Sequence, residues 1–204
     1  MGKPFQIRLI FFYCFLFAGL LFSTISCNST NETLPNDQYS EESSLAEDSL
    51  VYRIIIDDEI NPSVSRLVRR GIEEAEKREA DYLFIELETY GGLVVDADDI
   101  RTDILNCPIP VIIYIQNNAA SAGALISLAC DSIYMNPSAT IGAAAVVDQT
   151  GEVQAEKYQS YMRGKMRATA EANGRNPAIA EGMVDPSIVV PGISDSSKII
   201  TLTA

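Results

Sequence analysis

Val111–Ala124 reads VIIYIQNNAASAGA, five apolar residues, a polar step, and then a run of small side chains. A continuous apolar run of that length predicts a strand covered on both faces. The small residues from Asn117 to Ala124 then lead into an apolar helix ending near Cys130. A strand that passes so quickly into a helix is the first half of a strand–helix–strand crossover.

The same alternation extends in both directions. Val51–Ile56 (VYRIII), Tyr82–Leu87 (YLFIEL) and Ser132–Met135 read as further strands. Asn61-Pro62-Ser63 opens a helix, since proline is tolerated in the first turn, and Val64, Leu67, Val68, Ile72 and Ala75 mark its apolar face. Ala97, Ile100 and Ile104 space out the next helix, which Pro108 and Pro110 end. Strand–helix alternation argues for an α/β fold with mainly parallel pairing. Beyond it, Ala155–Asn173 reads as a helix with Tyr158, Met162, Met166 and Thr169 along one side and Gly174 as its cap. Pro177–Met183 forms a short helix, and Ile199–Leu202 starts a strand two residues before the sequence stops. That abrupt end predicts a truncated domain.

At the other end, Lys3 and Arg8 precede Leu9–Phe22, which carries no charge. This is the pattern of a secretory signal and is short for a membrane span, which needs about 20 apolar residues. Ser26-Cys27 resembles a bacterial lipobox, with Thr24 where such motifs usually carry leucine. Cys27 is therefore a candidate lipid acceptor, an ordinary signal or an uncleaved anchor being the other readings. All of them imply export. Residues 1–26 are assigned to the signal, the acid-rich stretch 27–49 to a flexible tether, and 50–204 to one folded domain. Cys107 and Cys130 are the only thiols within that domain; export permits a disulfide, and buried free thiols are the simpler expectation.

Composition narrows the chemistry. The 204 residues include no histidine, which excludes Ser-His-Asp and Cys-His catalysis and imidazole zinc sites within the chain. Net charge is −13, and loss of residues 1–26 removes two bases and no acid, leaving 28 acids against 13 bases. Such a surface repels phosphate backbones, so nucleic acid is not an expected partner. Three pieces remain for a catalytic site. Gly91-Gly92 ends a strand and can aim a backbone N–H at a ligand. Ser121 stands among small residues before a helix N-terminus, with the Ala122 N–H beside it; a plain helix cap is the alternative. A base must come from an acid, a terminal amine or a lysine; Lys157 and Lys165 share one helix about 12 Å apart along its axis, so at most one reaches Ser121. A lysine acts as base only where desolvation or a neighbouring cation favours its neutral form.

Gly91-Gly92, Ile112–Ile115 (IIYI), Asn118–Ala124 (NAASAGA), Asp131–Met135 (DSIYM), Ile141-Gly142-Ala143 and Gly174-Arg175-Asn176 together resemble the Clp-protease class of serine peptidases, and more closely the N-terminal domain of the membrane-bound NfeD proteases. The resemblance spans Val51–Ala204. It implies a ClpP/crotonase-like spiral of β-β-α units, Ser121 as nucleophile, Lys157 as general base, Gly92 and Ala122 as oxyanion donors, and Gly91 and Leu93 at the substrate. Tyr90 stands where that class commonly has proline. The resemblance also implies a homo-oligomer, and the export signal implies a tether on the extracytoplasmic, periplasmic side of the membrane. The resemblance implies no metal or organic cofactor, and substrates with apolar segments such as a stomatin-like protein. A crotonase-like thioester enzyme and a non-catalytic scaffold are the competing readings.

Overall fold

Three of the apolar runs lie side by side as a parallel sheet: Val51–Ile56 (β1), Tyr82–Thr89 (β2) and Val111–Ala120 (β3). The structure, a computed structural model, describes residues 49–195 and 197–204. The export segment, Cys27 and the tether up to residue 48 fall outside the described residues.

The strands alternate in burial. Leu83, Ile85 and Leu87 of β2 and Val111, Ile113 and Ile115 of β3 are wholly buried, each contributing about 1.5–3 kcal/mol of burial energy. Their neighbours on the opposite face are only half-buried, which corrects the expectation of a sheet covered equally on both sides. That second face carries a polar row: Arg53 donates to Glu86 at 2.6 Å and Gln116 to the same carboxylate oxygen at 3.2 Å. Charged groups of this kind keep their hydration only on a face that reaches water.

The helices follow the predicted faces closely. Pro62–Lys77 (α1) starts at Asn61, whose side chain accepts from the Ser63 and Val64 N–H groups. It buries Val64, Val68, Ile72 and Ala75 but leaves Leu67 about half exposed, a correction at the margin of the apolar stripe. Val94–Leu105 (α2) buries Ala97, Ile100 and Ile104, and Ala122–Ala129 (α3) is buried along its whole length.

The C-terminal part departs further from expectation. Asn117–Ala120 is the end of β3, rather than a lead-in to α3. Ser132–Met135 (β4) pairs with Ile112–Ile115, whereas an unforeseen strand, Thr140–Gly142 (β5), pairs with Asn118–Ala120. Thus β3 exchanges one neighbour for another half-way along its length. Glu156–Ala172 (α4) and Pro177–Gly182 (α5) match the expected helices, and Thr201–Thr203 (β6) closes the sheet antiparallel to β5, starting two residues later than the apolar pattern suggests. Met162, Met166 and Thr169 are buried on α4, while Tyr158 is largely exposed. Cys107 and Cys130 are free thiols, and complete burial pushes that of Cys130 well above its ordinary range. Among the described residues no helix is long and apolar enough to cross a membrane.

Candidate active site

Ser121 occupies the single residue between β3 and α3. Its backbone sits at φ 54°, ψ −113°, outside the regions an L-residue ordinarily populates, at a cost of about 1–3 kcal/mol. Three fixed bonds impose that conformation. The Ser121 N–H donates to the Gly142 carbonyl at 2.9 Å, extending the β3–β5 ladder, and its carbonyl accepts from Ala124 and Leu125 as the first turn of α3 begins. The hydroxyl has no protein partner among the described residues and is half-buried, so it is available to a ligand.

The two glycines are required by close approach. Gly92 forms an isolated parallel bridge with Ile60, in which the Ile60 N–H donates to the Gly91 carbonyl at 2.7 Å and the Leu93 N–H to the Ile60 carbonyl at 2.8 Å. A Cβ at Gly92 would lie 2.1 Å from the Ile60 carbonyl oxygen, and one at Gly91 would lie 2.8 Å from the Ser121 Cβ. Because the Gly91 carbonyl faces Ile60 and the peptide is trans, the Gly92 N–H faces the opposite way. It has no protein acceptor among the described residues, and neither has the Ala122 N–H at the start of α3. The positive end of the α3 dipole adds to the attraction for negative charge at that point.

Gly92, Leu93 and Ser121 line one open cleft of about 620 Å³, with Val94, Val146 and Val147 on its walls. Gly91 backs onto Ser121 and lines a smaller pocket of about 440 Å³ beside Asp57, Asp58, Glu59 and Glu88. Lys157 is not in the Ser121 cleft. It is the second residue of α4, solvent-exposed, with its Nζ 4.7 Å from the centre of the Tyr158 ring. It lines an adjoining cavity of about 760 Å³ together with Val95, Asp98, Tyr158 and Tyr161, and the two spaces share Val94 and Val146 as a common wall. Lys165 faces a different constraint. Its Nζ is 2.8 Å from the Asp98 carboxylate, and that hydrogen bond raises its pKa and keeps it protonated.

Two features of the site were not anticipated from the sequence. Val146–Gln154 forms a hairpin, with Val147 bridged to Val153 and the turn closed by Asp148, which accepts from Thr150 and Glu152. The run Asp148-Gln149-Thr150-Gly151 between valines is the signal that identifies it. Gln159 of α4 fixes its base: the side-chain oxygen accepts from the Val146 N–H at 3.0 Å, and the amide donates to the Val146 and Gln154 carbonyls at 2.7 and 3.2 Å. Lys157 lies two residues from that clamp, so the hairpin and the lysine are held by one helix.

The model of the NfeD1b N-terminal domain matches residues 50–204. The chain belongs to that family. This NfeD1b-type domain is 35% identical over 160 residues to membrane protein NfeD1b of Bacillus subtilis, covering 78% of the chain and 37% of that relative. It is 33% identical over 144 residues to membrane-bound protease PH1510 of Pyrococcus horikoshii, covering 67% of the chain and 33% of the relative. The chain therefore spans about a third of the length of these curated relatives. A solved structure of 1510-N, described as a membrane-bound stomatin-specific protease, holds a substrate peptide in a lysine-to-alanine mutant. It aligns with a TM-score of 0.66 at 30% identity, over 76% of this chain and 69% of that one. ClpP1 from Listeria monocytogenes aligns with a TM-score of 0.56 at 21% identity, over 74% of this chain and 82% of that one, which establishes the ClpP-like fold.

Proposed function

We propose that the chain is a membrane-associated serine endopeptidase that cleaves apolar peptide segments with Ser121 as nucleophile and Lys157 as general base. The observation that carries this reading is the Ser121 turn: a hydroxyl in a strained strand-to-helix junction that is unpaired among the described residues, with Gly92 and Ala122 N–H groups likewise unpaired there and an open apolar cleft. In the proposed reaction the Ser121 Oγ attacks the scissile carbonyl and its proton passes to the Lys157 Nζ. The two N–H groups receive the oxyanion. Collapse of the intermediate breaks the C–N bond, Lys157 returns the proton to the leaving amine, and water then hydrolyses the acyl-enzyme by the same route.

Lys157 has to cross from the neighbouring cavity for this chemistry. A substrate segment lying over Leu93, Val94 and Val146 would span the shared wall and cover both spaces. Covering an amine with apolar chain favours its neutral form. Exposed Tyr90, Leu93, Val95 and Val147 around these spaces suit an apolar partner. By analogy with 1510-N, whose name states stomatin specificity, the hydrophobic part of a stomatin-like membrane protein is the proposed substrate. Anchorage through the N-terminal signal or a lipidated Cys27, on the extracytoplasmic side, and assembly into a homo-oligomer complete the proposal.

The separation of Ser121 and Lys157 favours one second reading, a scaffold that captures apolar partners without cutting them. Cleavage of apolar peptides by the chain, by Ser121→Ala, by Lys157→Ala and by Lys165→Ala separates the two. The peptidase reading expects loss of cleavage in the first two variants and retention in Lys165→Ala. Equal rates in the chain and Ser121→Ala would refute it, and peptide capture without cleavage by every form would establish the scaffold.

A further inference from the structure

The β2–β3 ladder loses its register immediately before the nucleophile. Leu87 pairs with Ile115, but Thr89 pairs with Ala119, so β3 carries two more residues than β2 across this step. Those extra residues form a bulge, which bends a strand and leaves N–H groups without a ladder partner. It is also where β3 leaves β4 and joins β5.

Glu88 occupies the bulge. One carboxylate oxygen accepts from the backbone N–H of Asn117 at 2.7 Å and of Asn118 at 3.3 Å, and the other accepts from the Asn118 side-chain amide at 3.0 Å. The Asn118 side-chain oxygen in turn accepts from the Thr140 hydroxyl of β5 at 3.2 Å. The groups that face Glu88 across its pocket are Asp57, Asp58 and Glu59 from the β1–α1 link and Tyr90 just past the end of β2, with no cation among them. Burial raises the Glu88 carboxyl, and the hydrogen bonds from Asn118 and Asn117 outweigh it, holding the group below the usual carboxylate range.

We propose that Glu88 is a positioning residue for Ser121, its carboxylate replacing a strand carbonyl at the point where β3 changes neighbour. The chain of contacts is short. Glu88 fixes Asn117 and Asn118, Asn118 sets the pairing with Thr140, and three residues further the same ladder ends in the Ser121 N–H on Gly142. Without the carboxylate the bulge has two unpaired N–H groups, and the three residues leading to Ser121 can shift along β5.

The kinetic part of this inference rests on the peptidase reading; the structural part does not. The test compares the full chain with Glu88→Ala and Glu88→Gln by residue-resolved amide exchange and by cleavage of an apolar peptide. Glu88→Ala is expected to speed exchange at Asn117, Asn118 and Ser121 by about tenfold or more, the scale of one hydrogen bond to a charged acceptor. Amides of Leu83–Ile85 should be unchanged. Glu88→Gln should restore most of the protection, because its amide oxygen still accepts from both backbone N–H groups. In cleavage, Glu88→Ala should lower kcat by about tenfold with KM nearly constant, since the scissile group and not the apolar contacts is misplaced. Unchanged exchange at Ser121, or a uniform rise across the whole sheet, would overturn the positioning role. A parent chain that cuts no peptide would refute the peptidase reading, and the exchange result would still decide the role of Glu88.

Discussion

Replacing Ser121 by glycine should stabilise the fold while removing the nucleophile. The backbone at Ser121 lies at φ 54°, ψ −113°, a conformation open to glycine and strained for any residue with a Cβ. Relief of that strain is worth about 1–3 kcal/mol. Against it stands the greater freedom of glycine in the unfolded chain, about 0.5–1 kcal/mol. Ser121→Ala makes the comparison clean, because alanine keeps the strain and removes only a hydroxyl that has no protein partner among the described residues. Ser121→Gly should therefore exceed Ser121→Ala by up to about 2.5 kcal/mol. In a domain of this size each kcal/mol corresponds to about 2–4 °C in Tm. Thermal unfolding of the two variants side by side, under conditions where both refold, measures the difference. If Ser121→Gly melts below Ser121→Ala, the junction is not strained.

Other perturbations test the surrounding parts. Gly92→Ala would place a Cβ 2.1 Å from the Ile60 carbonyl oxygen and break the bridge of two backbone hydrogen bonds; a loss of about 2–4 kcal/mol in chemical denaturation is expected, together with loss of any cleavage. Gln159→Ala leaves the Val146 N–H without its partner and removes one of two donors to the Val146 carbonyl, and should cost about 1–3 kcal/mol and speed amide exchange within Val146–Gln154 while sparing β1 and β2. The Lys165–Asp98 bond raises the lysine above its ordinary 10.5, so its contribution to stability is complete below that pH and is lost as pH rises through the higher folded value. Melting curves from pH 8 to about 12 should show a steeper alkaline decline in the chain than in Lys165→Met; parallel curves would contradict the pairing.

The helix–strand alternation was legible because each element carries its own local signal. Asn61-Pro62 starts α1, the apolar run of β3 is continuous from Val111 to Ile115, and Gly174 follows α4 at φ 66°. Ser121 and the Gly91-Gly92 pair could be singled out for the same reason, since a small-residue junction between strand and helix is written within a few positions. The parts that escaped sequence reading depend on distant partners. β5 has only three residues and is a strand because Asn118–Ala120 lies beside it. The polar row Arg53–Glu86–Gln116 turns one sheet face toward water, which no apolar run reveals by itself.

The sequence by itself determined the alternating α/β order, the absence of imidazole chemistry and the identity of a serine set between a strand and a helix. Only the tertiary structure decided where that serine stands. Its strained φ comes from Gly142, its neighbouring unpaired N–H from the Ile60 bridge, and its place at the end of β3 from the bulge filled by Glu88. Likewise the ion pair that holds Lys165 depends on Asp98, a residue 67 positions away in the chain. Composition and periodicity report what a segment does with its immediate neighbours. Hydrogen bonds across a sheet and ion pairs between helices join residues far apart in sequence, and they exist only once the chain has closed on itself.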